Sequence, residues 1–469
     1  MIVLDEQDKH TPLYLQLYAA LRDEIRERNR LPGSRLPSRR RMALELNISE
    51  NTVDSAYAQL LSEGYIRAVR GSGYFVCEID DLVKFRSAEA QKCPHADRMG
   101  NIVVDFSASR IDRAGFPYNQ WRRIQKACFD ELSPDLLSAP APQGYLPLRE
   151  EIAAYLFQAR GVHCSPEQIV IGAGTDHMLQ ILSFILEPRY SLTMENPIYL
   201  NTVAHFERLG HPVHYVDLDE QGLNADELEE INHTLVYITP SHQYPLGFSM
   251  PISRRIRLLN WANEGEERFI LEDDYDSEFR YDTRPIASLQ SLDNAGRVIY
   301  LGSFSKAITP SLRISYMVLP EILLALYRER YSNFSPAVSG FEQRVLTEFL
   351  RSGAFTAHVN RMRKLYRSRR ALLVELLSAW GDQVRISGES AGHHLLLTDL
   401  RGWSEETLCN CAFDAGVQVY PVSRCFHGEL PARYRSTVLL GYAGLEPREI
   451  QQGVARLEKA WDIHRCGND

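Results

Sequence analysis

Two apolar runs that each end abruptly in chemically capable side chains set the strongest limit on what this chain can fold into. Val298–Leu301 is followed by Gly302, Ser303, Phe304, Ser305 and Lys306, and Phe269–Leu271 by Glu272, Asp273, Asp274 and Tyr275. Short, wholly apolar runs bounded by turn residues read as strands buried on both faces, the pattern of a parallel sheet. Reactive groups at the carboxyl ends of such strands lie where open sheets bind ligands. Lys306 can join an aldehyde as a Schiff base only if its environment lets it lose a proton. The hydroxyls of Ser303 and Ser305 can donate to phosphate oxygens, and Arg313 can clamp the same anion bidentately. Taken alone, the segment reads as an ordinary surface lysine beside a polar turn. The second run decides: Asp273 can keep a pyridine nitrogen protonated, and Tyr275 can hydrogen-bond a phenolic oxygen beside it.

Asp273, Tyr275, Lys306 and Arg313 together resemble the core of the fold-type I, aspartate-aminotransferase-like enzymes that use pyridoxal 5'-phosphate. The segment QGYLPLREEIAAYL, Gln143 to Leu156, is similar to that family's entry into its large domain. IGAGTDHMLQILSFIL, Ile171 to Leu186, runs from a strand end through Gly174, Thr175 and Asp176 into an apolar-periodic helix, whose start presents N–H groups to a phosphate. In ENPIYL, Tyr199 stands where the family places an aromatic near the cofactor; a core tyrosine is the alternative.

The first eighty residues follow another pattern. Leu13, Leu17, Leu21 and Ile25 repeat at helical spacing, and LPSRRRMALELNISENTVDSAYAQLLSEGYI reads as two short helices, N-capped by Ser38 and Ser49. Ala43, Leu44, Val53, Tyr57, Leu60 and Leu61 are the expected shared core. YIRAVRGSGYFV reads as a hairpin around Gly71, Ser72 and Gly73. Helix, helix-turn-helix and hairpin resemble a GntR-type winged helix over residues 9–78. Residues 1–78 are formally neutral, with eleven Lys plus Arg against eleven Asp plus Glu, yet no acid interrupts Arg28, Arg30, Arg35, Arg39, Arg40 and Arg41. Such a patch, with Arg67 and Arg70 on the wing, can neutralise several phosphates of double-stranded DNA. The expected DNA contacts are Arg35, Ser38, Arg39, Arg40, Ser49, Asn51, Thr52, Arg67, Arg70, Gly71 and Gly73. Glu50 and Asp54 stand where related winged helices often carry basic residues.

Joined, the two halves resemble the MocR-type regulators. TPSHQYPLGFSM strengthens the likeness: Tyr244 replaces the asparagine usual in catalytic aminotransferases, and His242 and Gln243 suit the regulators. His242 either hydrogen-bonds the cofactor or fixes the turn. Leu439 and Asn201 occupy positions where arginines grip a carboxylate in related proteins, leaving Arg424, Arg433 or Arg435 as substitutes; Arg435 is the effector-binding candidate. The resemblance implies a DNA-binding transcriptional regulator that carries pyridoxal phosphate on Lys306. Its effector would be an amine, an amino acid or pyridoxal phosphate itself. The alternatives are a catalytically active aminotransferase with an appended winged helix and a DNA-binding scaffold with a dead cofactor domain. The family also implies a domain-swapped homodimer.

A net charge of −9 confines nucleic-acid contact to the N-terminal module, and 44% apolar residues suffice for a large core. No signal-like start, no membrane-length apolar run and no zinc-type cysteine spacing occur, so no metal, no membrane and a cytoplasmic location with reduced thiols are expected. The expected organisation is a multidomain chain: an α/β winged helix (9–78), a flexible connector (79–104), an α/β large domain with a mostly parallel sheet (105–320), and interdomain helices with a small α+β domain (321–469).

Overall fold

Leu17, Leu21 and Ile25 form the buried stripe of α1 (Leu13–Arg26), which lies against α3 (Glu50–Ser62), and α2 (Arg39–Leu46) also packs on α3. The Ser38 hydroxyl accepts the Arg41 N–H at the start of α2, and the Ser49 hydroxyl accepts the Thr52 N–H at the start of α3, so both expected caps are present. Asn47, with φ of 51°, makes the left-handed turn between them. β1 (Ile66–Val69) and β2 (Gly73–Val76) pair antiparallel, Ile66 opposite Val76. The core holds Val53, Ala56, Tyr57 and Leu60, but two expected members are corrected. α2 buries Met42 and Ala43 and turns Leu44 outward, 75% exposed, while Leu61 is 38% exposed. A short helix shows the core one side only, and consecutive residues are rotated by about 100°.

The computed structural model describes residues 4, 11–78, 102–130, 137–229, 231–265, 267–281 and 286–463. It resolves into two units, Met1–Ala96 and Asp97–Asp469. Most of the expected connector lies outside the described residues, and its last residues depart from expectation. β3 (Val104–Asp105) pairs parallel with β13 (Val417–Gln418), and Val104 and Phe106 enter the core of the C-terminal small domain. A chain segment that opened the large domain in the sequence reading therefore begins as part of the small one, because its apolar side chains are buried there against Val454 and Leu457.

The second unit is built on a seven-stranded sheet of order β4-β10-β9-β8-β7-β5-β6. Its strands are β4 (Ile169–Gly172), β5 (Ser191–Asn196), β6 (Val213–Asp217), β7 (Thr234–Ile238), β8 (Arg268–Asp274), β9 (Val298–Ser303) and β10 (Ser315–Val318). Only β10 runs antiparallel to its neighbours; the others are parallel. Period-two alternation sends Phe269, Leu271, Ile299 and Leu301 to one face, against the Thr175–Ile185 helix, and Ile270 and Val298 to the other, with Leu258 and Leu259 of the Ile252–Asn263 helix. Both faces are covered, as the wholly apolar runs require.

The long Ala354–Ser378 helix leads into a four-stranded antiparallel sheet of order β11-β12-β15-β14, where β11 is Val384–Ser387, β12 His394–Asp399, β14 Tyr420–Pro421 and β15 Thr437–Gly441. This sheet buries Leu395, Leu397, Val438 and Leu440 with Trp380 and Trp461. Among the described residues no helix is long and apolar enough to cross a membrane, and no cluster of potential metal ligands occurs.

Candidate functional site

The parallel strands β7, β8 and β9 aim their carboxyl ends at one cavity of about 270 Å³, lined by Thr175, Asp176, Tyr199, Asp273, Tyr275 and Lys306 among others. The alternation of β8 explains which of three consecutive acids faces it. Glu272 turns away to accept the Leu289 and Gln290 N–H groups at 2.8 and 2.9 Å, and Asp274 pairs with Arg160 at 2.6 Å. Asp273, between them, points to the cavity side and accepts a hydrogen bond from the Tyr237 hydroxyl. Burial pushes Asp273 up to about 7, with the Tyr237 bond acting in the opposite sense. A cationic ring nitrogen placed against it would restore its charge.

Lys306 sits in the turn after β9, where its amine donates to the Ala108 carbonyl at 2.6 Å. Enclosure pushes its pKa down to about 8, with the Asp276 carboxylate opposing the shift. Tyr275, whose pKa burial raises, has its hydroxyl 3.0 Å from His242 Nδ1, and that nitrogen bonds the Asp276 carboxylate at 2.9 Å. His242 is 3% exposed and stands behind Tyr275 without lining the cavity. The turn itself is fixed by Glu195, which accepts the Thr239 N–H and hydroxyl at 3.1 and 3.0 Å, and by Gln243, which donates to the Pro197 carbonyl.

Arg313 lies at the first turn of the Thr175–Ile185 helix, where its guanidinium donates to the Ala173 carbonyl at 3.2 Å and approaches Asp176 at 3.8 Å. Gly174, with φ of 93°, leaves room for it: a Cβ there would fall 2.8 Å from Arg313 Nη2. Helix start and guanidinium thus form one anion cradle. Ser303 accepts the Ser305 N–H and the Ser315 hydroxyl, which leaves its own proton to donate. Tyr199 is no core residue: it is 48% exposed at the cavity, edge-on to Tyr244.

Arg435 is not brought to the cavity. It is an exposed side chain paired with Glu429 at 2.8 Å, because the Ala432–Tyr434 turn holds it on the outer surface. Arg433 donates to the Leu218 carbonyl, Arg424 is exposed, and Leu439 is buried within β15. Nothing of the Asn201 side chain is described. Sequence reasoning missed Tyr237, Asp276, His393 and His394, all of which line the cavity. The adjacency of Tyr237 to an apolar run and the doublet in GHHLLLTDL were the available signals.

The residues present fit pyridoxal phosphate: an enclosed amine of depressed pKa, a buried carboxylate on the neighbouring strand, and a glycine-dependent anion cradle.

On the winged helix, the arginine patch meets more acid than its sequence suggested. Arg39 pairs with Asp54, Arg41 with Glu45 at 2.8 Å and Arg30 with Glu24 at 2.5 Å. Ser49 and Thr52 bond each other at 2.7 Å as part of the cap, while Arg35, Arg40, Asn51, Arg67, Arg70 and Gly71 are exposed. Gly73 lets the Arg35 side chain lie against the wing.

Comparison with known proteins agrees on both units. The family model for aminotransferase class I and II matches residues 102–457, and that for bacterial regulatory proteins of the gntR family matches residues 13–76. An HTH-type transcriptional regulator of Bacillus subtilis, YdeL, itself uncharacterized, is 40% identical over 96% of this chain and 97% of its own. The probable rhizopine catabolism regulatory protein MocR of Rhizobium meliloti is 33% identical over 98% of this chain and 96% of its own. A solved structure of LysN, the α-aminoadipate aminotransferase of Thermus thermophilus, complexed with N-(5'-phosphopyridoxyl)-L-leucine, superposes with a TM-score of 0.67 at 26% identity, covering 78% of this chain and 93% of that one. With a gntR-type winged helix and an aminotransferase class I and II domain in one polypeptide, the chain belongs to the MocR-type transcriptional regulators.

Proposed function

We propose that this regulator holds pyridoxal phosphate on Lys306 and uses it to detect a small amine or amino acid, with the free cofactor itself as the other candidate signal. The observation that carries the reading is the enclosed Lys306 amine, brought to about 8 beside Asp273 and Tyr275 in one cavity. Bound there, the cofactor supplies an electrophilic carbon that an amine can engage. Asp273 would hold the proton on the ring nitrogen, Tyr275 would donate to the phenolic oxygen, and Tyr199 would cover the ring. The backbone N–H groups of Gly174, Thr175 and Asp176 at the helix start, with Ser303, Ser305 and Arg313, would hold the phosphate, and His242 would orient Tyr275.

A regulator is favoured over a working aminotransferase because no arginine occurs among the described lining residues. A carboxylate substrate would lack the bidentate, charge-assisted grip that contributes about 1.5–3 kcal/mol per hydrogen bond. An effector acts on DNA binding only through its different affinity for two states of the protein. The proposal includes a domain-swapped homodimer that presents two winged helices to two half-sites of an operator.

Spectral titration of the purified protein with amines, amino acids and pyridoxal phosphate, paired with DNA-binding measurements, tests the reading. The expected result is a visible absorbance band, its perturbation by an effector, a parallel change in DNA affinity, and loss of the response in Lys306→Ala. Sustained turnover of an amino donor with a keto acid would instead establish an enzyme.

A further inference from the structure

His393 has no role in the cofactor site described above, yet it lines the cavity wall. It follows Gly392, whose φ of 74° sets the entry into β12. The Gly392 carbonyl accepts both the Tyr281 and Tyr442 hydroxyls, at 2.6 and 2.8 Å, and the Gly392 N–H donates to the Phe279 carbonyl at 2.8 Å. The His393 carbonyl accepts the Tyr442 N–H at 2.9 Å. The backbone is therefore pinned on both sides of the residue. A Cβ on Gly392 would lie 2.3 Å from His242 Cε1 and 2.4 Å from Asp276 Oδ2, so no other residue type fits beneath the ring.

The ring is wedged between Phe279, 4.6 Å away between centroids, and Tyr366, 5.0 Å away. It is 1% exposed, and both of its nitrogens lack a hydrogen-bond partner among the described residues. Buried polar atoms are almost always satisfied, so an imidazole left bare at a cavity wall points to a group supplied from the cavity. Its neighbour His394, by contrast, donates to the Pro245 carbonyl at 3.0 Å.

Burial, with Lys306, His394 and His242 nearby, holds the His393 pKa well below its ordinary value. A neutral imidazole offers one N–H and one lone pair and carries no charge with which to hold an anion. Asp176, Asp273 and Asp276 also line the cavity, and no arginine occurs among its described lining residues. Two of these acids serve the cofactor in the reading above, and all three disfavour a second carboxylate. A hydroxyl is the small group that satisfies a neutral imidazole without adding charge.

We propose that His393 is the specificity-determining residue of the effector site, and that the effector is a small amine bearing an uncharged hydroxyl on the end remote from its nitrogen. This rests on the cofactor reading above. Orientation follows from the wall: the amine end meets the Lys306 side of the cavity and the hydroxyl meets His393.

The test titrates full-length protein, loaded with pyridoxal phosphate, with straight-chain amino alcohols. Alkylamines in which a methyl replaces the hydroxyl, and ω-amino acids of matching length, serve as controls. Both the visible spectrum and the melting temperature are followed. The best amino alcohol is expected to bind about tenfold or more tightly than its alkylamine and its amino acid, the equivalent of one lost hydrogen bond. His393→Leu should erase that preference while leaving the cofactor spectrum unchanged. His393→Gln, which keeps a donor and an acceptor, should retain part of it. Tighter binding of the amino acids, no discrimination by the wild-type protein, or a preference that survives in His393→Leu overturns the assignment. Failure of the protein to respond to pyridoxal phosphate in either readout overturns the cofactor reading instead, so the two failures are distinguishable.

Discussion

His358 Nε2 lies 2.9 Å from the carbonyl oxygen of Ala307, the residue that follows Lys306. Arg361 Nη2 lies 3.1 Å from the other ring nitrogen. A guanidinium can only donate, so Nδ1 accepts, and the neutral ring's proton is left on Nε2 to donate to Ala307. The long Ala354–Ser378 helix thereby holds the turn that carries the lysine.

His358→Leu should therefore loosen the lysine turn. Leaving the Ala307 carbonyl unpaired costs about 1–3 kcal/mol, and pyridoxal phosphate should bind several-fold more weakly. Burial lowers the His358 pKa from its ordinary 6.5. The stability this neutral ring contributes is complete above 6.5 and declines below it, because the unfolded chain takes up a proton before the folded one does. Denaturant unfolding at pH 7.5 and 5.5 should show the wild-type advantage over His358→Leu shrinking at the lower pH.

Lys306 should load its cofactor as an amine of pKa about 8 rather than as an ordinary lysine. The neutral form is the nucleophile, so the loading rate of apoprotein should rise with pH and level off above about 8. Asp276 opposes the downward shift. Asp276→Asn should move the midpoint to lower pH, measured by stopped-flow absorbance after mixing with pyridoxal phosphate.

Tyr237 donates its hydroxyl proton to the Asp273 carboxylate. Its removal in Tyr237→Phe should raise the Asp273 pKa further and weaken the carboxylate as partner to a protonated ring nitrogen. Equilibrium binding should show cofactor affinity falling about tenfold, consistent with the 1.5–3 kcal/mol of a hydrogen bond to a charged group. The loss should be greater still in Asp273→Ala.

The strands that end at Asp273 and Lys306 were legible because uninterrupted apolar residues are required where both faces of a sheet are covered. Their reactive ends were legible because chemistry concentrates at carboxyl ends. The rest depended on contacts between distant residues. Val104 and Phe106 belong with Val417 and Gly453, a pairing across some three hundred residues that no local pattern announces. Tyr237 and His393 are ordinary residues near strand ends until the fold sets them around one cavity. Arg435 looked suitable by charge, but loop geometry turned it to solvent. Arg39 and Asp54 are fifteen positions apart and meet only because two helices cross.

That last pairing sets the expectation for DNA. Arg39 is exposed yet engaged by Asp54, so one cation of the patch is partly neutralised before any phosphate arrives. Asp54→Asn should free it. Binding to a duplex of arbitrary sequence, followed by fluorescence anisotropy against salt, should become tighter, with a log–log slope steeper by roughly 0.9 for one added phosphate contact. Arg40→Ala should act in the opposite sense, weakening binding to all sequences and flattening the slope by about the same amount. Adding Arg39→Ala to Asp54→Asn should cancel the gain. An Asp54→Asn protein whose slope and affinity match the wild type would show that Arg39 does not reach the backbone and that the patch works through its other arginines.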